Sequence, residues 1–539
     1  MINPHGPRVS QKWATVDEMI CASAARAAER GSAEPAQAVA SNSGGQSWSD
    51  CAEQAGNIAA LLREVGVQLG DKVAVLSTRD DRLPSLVAGI LHAGAVYCPL
   101  DASAPATRLE FQLKDLQPTL LVTVGGAGAG VGKEGIKTQW DLDDADLQAR
   151  IAAADGDTLK QKYDALTGED ACYITYTSGS TGTPKAVINH HAGVAQHLEW
   201  FGELLGRDGD LRVLQKAPMV FDVGIAEVLN PLANGGAVVM PDADWWMGDI
   251  DGFVDLVEDQ QVTALSMVPS MMRTLLDVMD DMGEPLSRLG SLRHLLLGGE
   301  AVPADIARRA REIGCRVHGL YGPTEAAMDV AWVEFTADSD VADGVNALGR
   351  PEDSVSLYVV AEDGSEVQEY GVPGELCIAG VQVASGYLNR PELTAEVFVP
   401  SLHPDVDGGR MYKTGDIAQW VAGAEGGSLE FLGRIGDQVK IRGNRVELGE
   451  VEAALRSADG VRDAAVAAVG EGDKSLVGFV VRADASSSDT DANGFAERLK
   501  ASLGEVLPGY MVPSRFVELS ALPMNANGKL DRRALAEKA

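Results

Sequence analysis

Apolar residues in the first part of the chain alternate between helical spacing and short runs typical of buried strands. Positions 58, 61, 62 and 65 are apolar and share one helical face, and Gly66 is well placed to end that helix. Residues 73–76 then predict a buried strand, and a second helical stretch begins at Leu83. This alternation of helix and strand indicates an α/β fold.

The alternation continues along the chain. Apolar runs at 171–174, 237–240, 263–267 and 292–297 are separated by longer helix-like stretches. Strands interleaved with helices predict a largely parallel sheet covered on both faces, with ligands near the carboxyl ends of its strands. The glycine-rich segment 176–185 directly follows the first of these runs, so it lies where a ligand is expected.

The pattern changes after about position 339. Short strands predicted at 354–360, 374–378 and 428–432 are separated by Asp, Gly and Pro clusters, which is typical of hairpins. Helix and strand patterns start again after Gly433. We therefore predict a large N-terminal domain, residues 1–432, made of α/β subdomains plus a small β-barrel-like region, and a small α+β C-terminal domain, residues 433–539.

The charge balance narrows the class of ligand. The net charge is -34, from 45 Lys and Arg against 79 Asp and Glu. A general nucleic-acid role and binding to an anionic membrane surface are both disfavoured, because each needs an excess of basic side chains. An anionic small molecule would have to be held by local donors and a metal ion.

The cysteines and the N-terminus indicate the compartment. The six cysteines show no C-x-x-C spacing, so we expect buried free thiols rather than a zinc site or disulfides. The first twenty residues contain no basic stretch followed by an apolar one, and we find no membrane-spanning run. A cytoplasmic protein is therefore expected.

Segment 176–185 reads Y-T-S-G-S-T-G-T-P-K. Its two glycines let the backbone bend closely, and its hydroxyl groups donate hydrogen bonds, which suits a phosphate-binding loop. An ordinary exposed loop has a similar composition. A Walker A loop is excluded, because Pro184 precedes Lys185 and Ala186 follows it, where that motif needs Gly and then Ser or Thr.

The segment resembles the phosphate loop of the adenylate-forming (ANL) superfamily, and more specifically that of the adenylation domains of nonribosomal peptide synthetases. Ala186 stands where the family usually has Gly. Further segments resemble the family's motifs in their expected order: L-H-A-G-A-V-Y at 91–97, P-L-D at 99–101, F-D at 221–222 with Glu227, Y-G-P-T-E at 321–325, Y-K-T-G-D at 412–416, G-R at 433–434, Q-V-K-I-R-G at 438–443, L-P-G-Y-M-V-P at 507–513 and N-A-N-G-K-L at 525–530.

The resemblance implies that the chain joins an amino-acid carboxylate to the α-phosphate of ATP and releases pyrophosphate. Glu325 would hold Mg²⁺, and Thr324 would touch the α-phosphate. Lys529 would be the catalytic cation between the reacting carboxylate and the α-phosphate. The other nucleotide-binding residues implied are Thr177, Ser178, Gly179, Ser180, Thr181, Gly182, Lys185, Gly298, Tyr321 (stacked on adenine), Asp416 (ribose hydroxyls) and Arg434 (ribose or phosphates).

Each of these charged residues also has a purely structural interpretation. Glu325 could be an acid at a helix start, and Asp416 could be a turn residue. Lys529 could be a solvated lysine near the C-terminus. The motifs around all three favour the functional interpretation.

The resemblance also implies an amino-acid pocket. Asp222 would pair with the substrate's α-ammonium group, although an acid there could also cap a helix. Asp329 adds a second acid to a set of mainly small or apolar residues, so we expect a basic or guanidino substrate such as ornithine, arginine or a capreomycidine-like residue; a small aliphatic amino acid is the alternative. The pocket positions are Asp222, Val223, Ala226, Ser266, Leu296, Gly298, Leu320, Met328, Asp329 and Lys529.

In this superfamily the small C-terminal domain is mobile and rotates before thioester formation. Gly436 stands at the hinge position, where Asp or Lys is usual, and a glycine there keeps the dihedral freedom that rotation needs. The sequence ends ten residues after Lys529. We therefore expect a stand-alone enzyme rather than an excised piece of a synthetase, acting on a separate peptidyl carrier protein, with a small MbtH-like protein as a further partner.

Two rival functions stay open on the sequence. An acyl- or aryl-CoA ligase of the same superfamily would have no ammonium group for Asp222 to bind. A non-catalytic nucleotide-binding or scaffold protein would not need Lys185, Glu325, Asp416 and Lys529 together.

Overall fold

The computed structural model describes most of the chain. The described residues are 2–30, 36–42, 44–127, 136, 138–156, 159, 163–179, 183–242, 249–336, 347–423, 426–470, 474–483, 492–523, 530 and 532–539. Ser180, Thr181, Gly182 and Lys529, all expected in the site, lie outside these residues.

The helices and strands alternate as the apolar pattern predicts. The helices are α1 Val16–Glu29, α2 Trp48–Glu64, α3 Leu83–His92, α4 Ala106–Leu116, α5 Ala145–Ala153, α6 His191–Leu205, α7 Asp222–Asn234, α8 Ile250–Asp259, α9 Pro269–Met282, α10 Ala304–Arg311, α11 Pro391–Val397, α12 Pro404–Asp407, α13 Leu448–Arg456, α14 Ala492–Gly504 and α15 Arg532–Ala536. Short 3-10 turns cover Asp208–Asp210, Leu286–Leu289, Thr324–Ala326 and Gly509–Met511.

The strands begin and end close to the predicted apolar runs. They are β1 Gln37–Ala40, β2 Gln46–Ser47, β3 Lys72–Ser77, β4 Val96–Leu100, β5 Leu120–Val124, β6 Thr138–Asp141, β7 Ala171–Thr177, β8 Lys185–His190, β9 Arg212–Leu214, β10 Ala237–Val239, β11 Ala264–Met267, β12 His294–Leu297, β13 Arg316–Tyr321, β14 Ala331–Glu334, β15 Ala347–Pro351, β16 Val355–Val360, β17 Gly374–Gly380, β18 Gly386–Tyr387, β19 Phe398–Pro400, β20 Arg410–Val421, β21 Ser428–Arg434, β22 Gln438–Ile441, β23 Asn444–Glu447, β24 Val461–Val469, β25 Ser475–Arg482 and β26 Arg515–Glu518.

The N-terminal elements form two sheets within the described residues. The first has the order β18-β8-β7-β4-β3-β5-β6, and the second runs from β16 through β17, β20, β21, β15, β14, β13, β12, β11, β9 and β10 to β1 and β2. The strands from β13 to β1 pair in parallel, as predicted, whereas those from β14 to β16 pair antiparallel. Side chains of α1, α2, α3 and α7 fill a shared core that reaches strands of both sheets.

The glycine-rich segment joins strands in a way that the parallel-sheet prediction missed. β7 pairs with β4 in parallel, but β8 pairs with β7 antiparallel, with Thr177 opposite Lys185. The segment is therefore the connection of a hairpin rather than a strand-to-helix turn. Both strands are mostly buried, so their apolar runs carry no sign of strand direction.

The C-terminal elements form a smaller unit. β22 and β23 make a hairpin, and β24, β25 and β26 make a sheet that packs against α13 and α14 through residues such as Val451, Val466 and Leu499. β21 runs across position 432/433 to Arg434, and β22 begins at Gln438. Division of the chain into domains 1–432 and 433–539 stays a prediction.

Two expectations about the chain's environment meet the structure here. The prediction of buried thiols rather than disulfides is confirmed: no cysteine forms a disulfide, and all except the half-buried Cys315 are buried. In the part of the chain that the structure describes, no helix combines the length and the apolar character needed to cross a membrane.

Candidate active site

We call β7, β8 and the segment that connects them the phosphate-loop hairpin. Its described residues include Lys185, which lies beside the buried acid Glu325. Gly179 lies so close to the returning chain that a Cβ atom there would be 2.0 Å from the Thr183 carbonyl oxygen, so a side chain at this position would clash with backbone. Lys185 begins β8, and its Nζ atom lies 3.3 Å from Oε1 of Glu325.

Glu325 is the centre of the charged cluster. It sits in the Thr324–Ala326 turn after β13, and its side chain is 0% exposed. The Tyr387 hydroxyl donates to Oε1 at 2.8 Å and accepts from Lys185 Nζ at 2.9 Å. The Arg445 guanidinium donates to Oε2 at 2.8 Å. Tyr387 and Arg445 were not among the predicted site residues.

The two cations decide the ionisation of this acid. Burial opposes ionisation of Glu325, but the Arg445 guanidinium and the Lys185 ammonium outweigh it and hold the pKa of Glu325 well below its ordinary value. Burial lowers the pKa of Lys185, and the charge of Glu325 counters that shift. The cluster is thus built to keep an ionised carboxylate beside the phosphate loop.

Asp416, the predicted ribose-binding acid, is held by two side chains. The Tyr321 hydroxyl donates to its Oδ2 atom at 2.5 Å, and Arg434 donates to Oδ1 at 2.7 Å. Asp416 and Arg434 are direct partners on β20 and β21, so sheet register brings them together. The structure therefore gathers these predicted nucleotide-binding residues in one place, although they are up to 113 positions apart in the sequence.

Asp222 and Asp329 form the acidic end of the predicted pocket. Asp222 is in the first turn of α7 and is half-buried. Burial raises its pKa, while hydrogen bonds from the Thr324 side chain and the Val223 N–H oppose the rise. Burial and the nearby charge of Asp222 raise the pKa of Asp329 to about 7. The two acids are therefore within electrostatic reach of each other.

The remaining pocket positions lie on adjacent elements. Ser266 on β11 is the register partner of Leu296 on β12. Leu296 and Leu320 pack with Trp200 and Trp332 in one apolar cluster. Ala226 and Met328 are buried in the shared core, Gly298 follows β12, and Val223 is 39% exposed.

The C-terminal unit contacts the same region. The Ser178 hydroxyl donates to the Arg445 carbonyl oxygen at 3.0 Å, and the Gly179 N–H donates to Oε2 of Glu450 at 3.2 Å. Arg108 of α4 donates to the other oxygen of Glu450 at 2.8 Å. The β22–β23 hairpin and the start of α13 thus contact Ser178 and Gly179, the first described residues after β7.

Comparison with known proteins identifies the family to which this chain is similar. The family model described as AMP-binding enzyme matches residues 25–388, and the AMP-binding enzyme C-terminal domain matches residues 450–529.

The chain belongs to the AMP-binding enzyme family.

Its similar proteins include large synthetases. The chain is 36% identical to vanchrobactin synthetase VabF of Vibrio anguillarum over 497 residues, which is 90% of this chain and 17% of that protein. It is 34% identical to enterobactin synthase component F of Escherichia coli O157:H7 over 500 residues, 91% of this chain and 37% of that protein. The chain thus spans well under half the length of both relatives.

A solved structure shares the fold over nearly the whole chain. Holo-PA1221, a nonribosomal peptide synthetase protein containing adenylation and PCP domains, superimposes with a TM-score of 0.81 at 25% identity, covering 98% of this chain and 85% of that one. The predicted fold class and the resemblance to synthetase adenylation domains are confirmed. The chain is an adenylate-forming ligase of the family that uses ATP.

The Tyr387 hydroxyl can be tested by a single substitution. Tyr387→Phe removes the hydroxyl that donates to Glu325 and accepts from Lys185. Hydrogen bonds to charged groups contribute about 1.5–3 kcal/mol each. We expect kcat/KM for ATP in pyrophosphate exchange to fall about tenfold or more. Tyr370→Phe is the matched control, because Tyr370 is exposed and its hydroxyl reaches only the Gly426 carbonyl oxygen among its described partners. Equal kinetics for both variants would contradict a role for Tyr387.

Proposed function

We propose that this chain activates an amino acid as aminoacyl-AMP, releasing pyrophosphate, and then transfers the acyl group to the phosphopantetheine thiol of a separate peptidyl carrier protein in nonribosomal peptide biosynthesis. The observation that carries this proposal is the position of Thr324 and Glu325 between two sites. Thr324 hydrogen-bonds Asp222 on the substrate side, and Glu325 pairs with Lys185 on the phosphate side. Thr324 and Glu325 are neighbours in the sequence. The carboxylate proposed to bind the amino group, Asp222, is therefore close to the proposed phosphate site.

In the first half-reaction, a carboxylate oxygen of the amino acid attacks the α-phosphorus of ATP, and the bond to the pyrophosphate leaving group breaks. Two anions must meet, so positive charge and hydrogen-bond donors have to be positioned before reaction. We assign this task to Lys529 and Thr324 at the α-phosphate. The phosphate loop, from Thr177 to Gly182 with Lys185, would bind the β- and γ-phosphates, while Tyr321, Gly298, Asp416 and Arg434 would hold adenosine.

The residues around Glu325 fit a magnesium ion. Mg²⁺ in nucleotide sites binds through one or two carboxylates together with substrate phosphates and water. Glu325 offers such a carboxylate, which neighbouring cations keep ionised beside the phosphate loop. When bound, the ion would neutralise developing charge on phosphate oxygens.

Asp222 supports amino-acid activation over activation of fatty or aryl acids. Its pKa is raised by burial, so the free carboxylate lacks adequate compensation and a cation would stabilise its charged form. The α-ammonium group of an amino acid supplies that cation. An acyl- or aryl-CoA ligase substrate would leave it unpaired.

Asp329 supports a basic or guanidino substrate by the same argument. Its carboxylate lies near Asp222 in an environment that favours the neutral form, and a second cation on the substrate side chain would restore its charge. Ornithine, arginine and a capreomycidine-like residue have such a group. A small aliphatic amino acid is the alternative outcome of the tests below.

The proposed function implies partner proteins and a cellular location. The carrier protein would deliver the thiol to the aminoacyl-AMP. Holo-PA1221, a similar protein, contains both adenylation and PCP domains. We also propose a small MbtH-like protein as a partner, and the cytoplasm as the location. Neither nucleic acid nor a membrane is proposed as a partner.

Pyrophosphate exchange tests the function directly. The wild type should exchange labelled pyrophosphate into ATP only when a suitable amino acid is present, and a screen of proteinogenic and nonproteinogenic amino acids should identify it. Lys529→Ala should lower exchange by about a hundredfold or more, because one preorganised charge at the reacting centre contributes several kcal/mol. A wild type that binds ATP but exchanges nothing would instead support a nucleotide-binding scaffold.

The pKa of Asp329 gives a pH test of the substrate class. Because an ionised Asp329 is needed to bind a cationic side chain, KM for arginine or ornithine should rise by about tenfold from pH 8 to pH 6, as the carboxyl with a pKa of about 7 becomes protonated. Protonation of Asp222 would weaken all amino acids alike, so the informative quantity is the KM of the basic amino acid divided by that of leucine.

Asp329→Asn should make this KM ratio independent of pH and remove the preference for basic amino acids. Asp222 and Lys440, whose charges act on the Asp329 carboxyl, are unchanged in this variant. The substrate proposal would be wrong if the wild type exchanged pyrophosphate faster with neutral amino acids than with basic ones. It would also be wrong if Asp329→Asn left the order of exchange rates among amino acids unchanged.

Gly436 offers a test of the second half-reaction. Its φ of +88° lies in the left-handed region, whereas proline is fixed near -65°. Gly436→Pro should therefore disfavour the arrangement seen here, in which the C-terminal unit contacts Ser178 and Gly179. We expect transfer to the carrier to fall about tenfold more than pyrophosphate exchange does. Equal losses in both half-reactions would count against a hinge role.

A further inference from the structure

Three chemically different metal-binding groups meet between α1 and α3, outside the proposed active site. The Oδ1 atom of Asp17 lies 2.8 Å from Nδ1 of His92 and 3.6 Å from the Sγ atom of Cys21. The same sulfur lies 3.9 Å from Nδ1 of His92. A carboxylate, a thiol and an imidazole therefore place their ligand atoms around one small volume, all within 4.8 Å of one another.

The sequence places these groups on two helices. Asp17 is in the first turn of α1, and Cys21 follows four positions later, so the two side chains share one face of the helix. His92 is the last residue of α3. It belongs to segment 91–97, a family-like motif to which the proposed function assigns no role.

The cluster is buried in the core that α1 and α3 share. Asp17 and His92 are each 1% exposed, and Cys21 is 6% exposed. Hydrogen bonds to the Asp17 carboxylate hold the three side chains together. Such bonds alone would make a purely structural cluster, whereas a metal site has to meet a further geometric condition.

The three ligand atoms meet that condition for a zinc ion. Zinc binds nitrogen and oxygen at about 2.1 Å and sulfur at about 2.3 Å, and it prefers tetrahedral geometry. At those bond lengths the observed separations correspond to angles at the ion of about 85° between O and N, about 110° between O and S and about 125° between N and S. These angles scatter around the tetrahedral value and leave a fourth position open on one side.

Neighbouring groups hold the ligands in position. The other carboxylate oxygen of Asp17, Oδ2, accepts from the Tyr163 N–H at 2.9 Å, which orients Oδ1 toward the cluster. Arg63 donates to the His92 carbonyl oxygen, and its guanidinium lies 4.8 Å from the centre of the Tyr163 ring. Outer contacts of this kind fix ligand orientation in metal sites.

The ligand charges match a divalent cation in a buried place. A carboxylate and a thiolate carry two negative charges together, so Zn²⁺ would leave the cluster without net charge, which lowers the cost of burial. On binding, the thiol releases one proton to solvent, and the imidazole binds neutral through Nδ1 with its proton on Nε2. Sulfur and imidazole ligands favour Zn²⁺ over Mg²⁺, which prefers oxygen.

We propose that Asp17, Cys21 and His92 bind one Zn²⁺ ion that ties the start of α1 to the end of α3, with water as the fourth ligand. This zinc site is separate from the proposed magnesium site at Glu325. It does not depend on the proposed function.

A fixed α1 would also support the helix that begins the amino-acid pocket. The Ser23 hydroxyl of α1 donates to the Ala233 carbonyl oxygen of α7 at 2.7 Å. The first turn of α7 carries Asp222. The ion would therefore stabilise a packed group of helices rather than a single contact.

Cobalt substitution tests the zinc site on the untagged full chain. Co²⁺ replaces zinc in N/S sites, and a bond from cysteine sulfur to cobalt gives an intense near-ultraviolet charge-transfer absorption. After chelator treatment and reloading with Co²⁺, the wild type should show this band with about one bound cobalt per chain, and Zn²⁺ should displace it. Because the cluster is buried, loading by long incubation and loading during refolding are compared.

Metal analysis of the purified protein completes this test. Protein produced in zinc-containing medium and purified without chelator should contain about one zinc per chain. Absence of zinc in that protein, together with absence of the cobalt band after both loading procedures, would overturn the inference.

A pair of cysteine variants locates the band. Cys21→Ala should abolish it and weaken zinc binding at least about a hundredfold in competition with a chromophoric chelator, because the thiolate ligand is lost. Cys315→Ala is the matched control, since Cys315 is half-buried and is the more accessible thiol. It should keep both the band and the affinity. Loss of the band in Cys315→Ala and its retention in Cys21→Ala would overturn the inference.

Thermal denaturation separates a zinc site from a cluster held by hydrogen bonds alone. Zn²⁺ at about a hundredfold excess over its Kd should raise the Tm of the metal-free wild type by several degrees, because the ion binds only the folded chain. Cys21→Ala should lose this response, and Cys315→Ala should keep it. A wild-type Tm that does not respond to zinc would contradict the site. None of these measurements uses ATP or an amino acid, so failure of the adenylation proposal would not change their outcome.

Discussion

The ionised state of a fully buried glutamate is the constraint on which the rest of the site depends. A carboxylate removed from water is costly unless cations and hydrogen-bond donors surround it. Glu325 receives Lys185 from β8, Tyr387 from β18 and Arg445 from β23, so three distant parts of the chain converge on one group. Any arrangement that removes one cation has to supply another. Arg445 belongs to the C-terminal unit, so this requirement ties the ionised state of Glu325 to the position of that unit.

Much of the fold follows from local patterns in the sequence. The apolar face of residues 58–65 predicts α2, and the runs near 263–267 and 292–297 predict the parallel strands β11 and β12. The direction of β8 could not be predicted, because a buried strand has the same apolar character whether its neighbour is parallel or antiparallel. The sequence therefore predicts a parallel sheet around the glycine-rich segment, whereas the strands on either side of it, β7 and β8, pair antiparallel.

The motifs single out candidate site residues, but they do not reveal the contacts between them. Asp416 and Arg434 were both assigned to the nucleotide, and only sheet register shows that they face each other. Tyr387 lies outside the segments that resemble the family's motifs. The sequence around it therefore does not indicate its hydrogen bonds to Glu325 and Lys185. Glu450 and Arg108 are 342 positions apart, and their pairing depends on how the C-terminal unit packs, which periodicity does not encode.

The register of β20 and β21 has a mechanical consequence. The Ile435 N–H donates to the Gly415 carbonyl oxygen at 2.7 Å, so the chain stays anchored to the sheet until one residue before Gly436. Gly436, the proposed hinge, thus directly follows the β20–β21 strand pair, which includes Asp416. Few residues separate Asp416, the proposed ribose-binding acid, from Gly436, the proposed hinge. A small shift of Asp416 would therefore be transmitted to the backbone angles at Gly436.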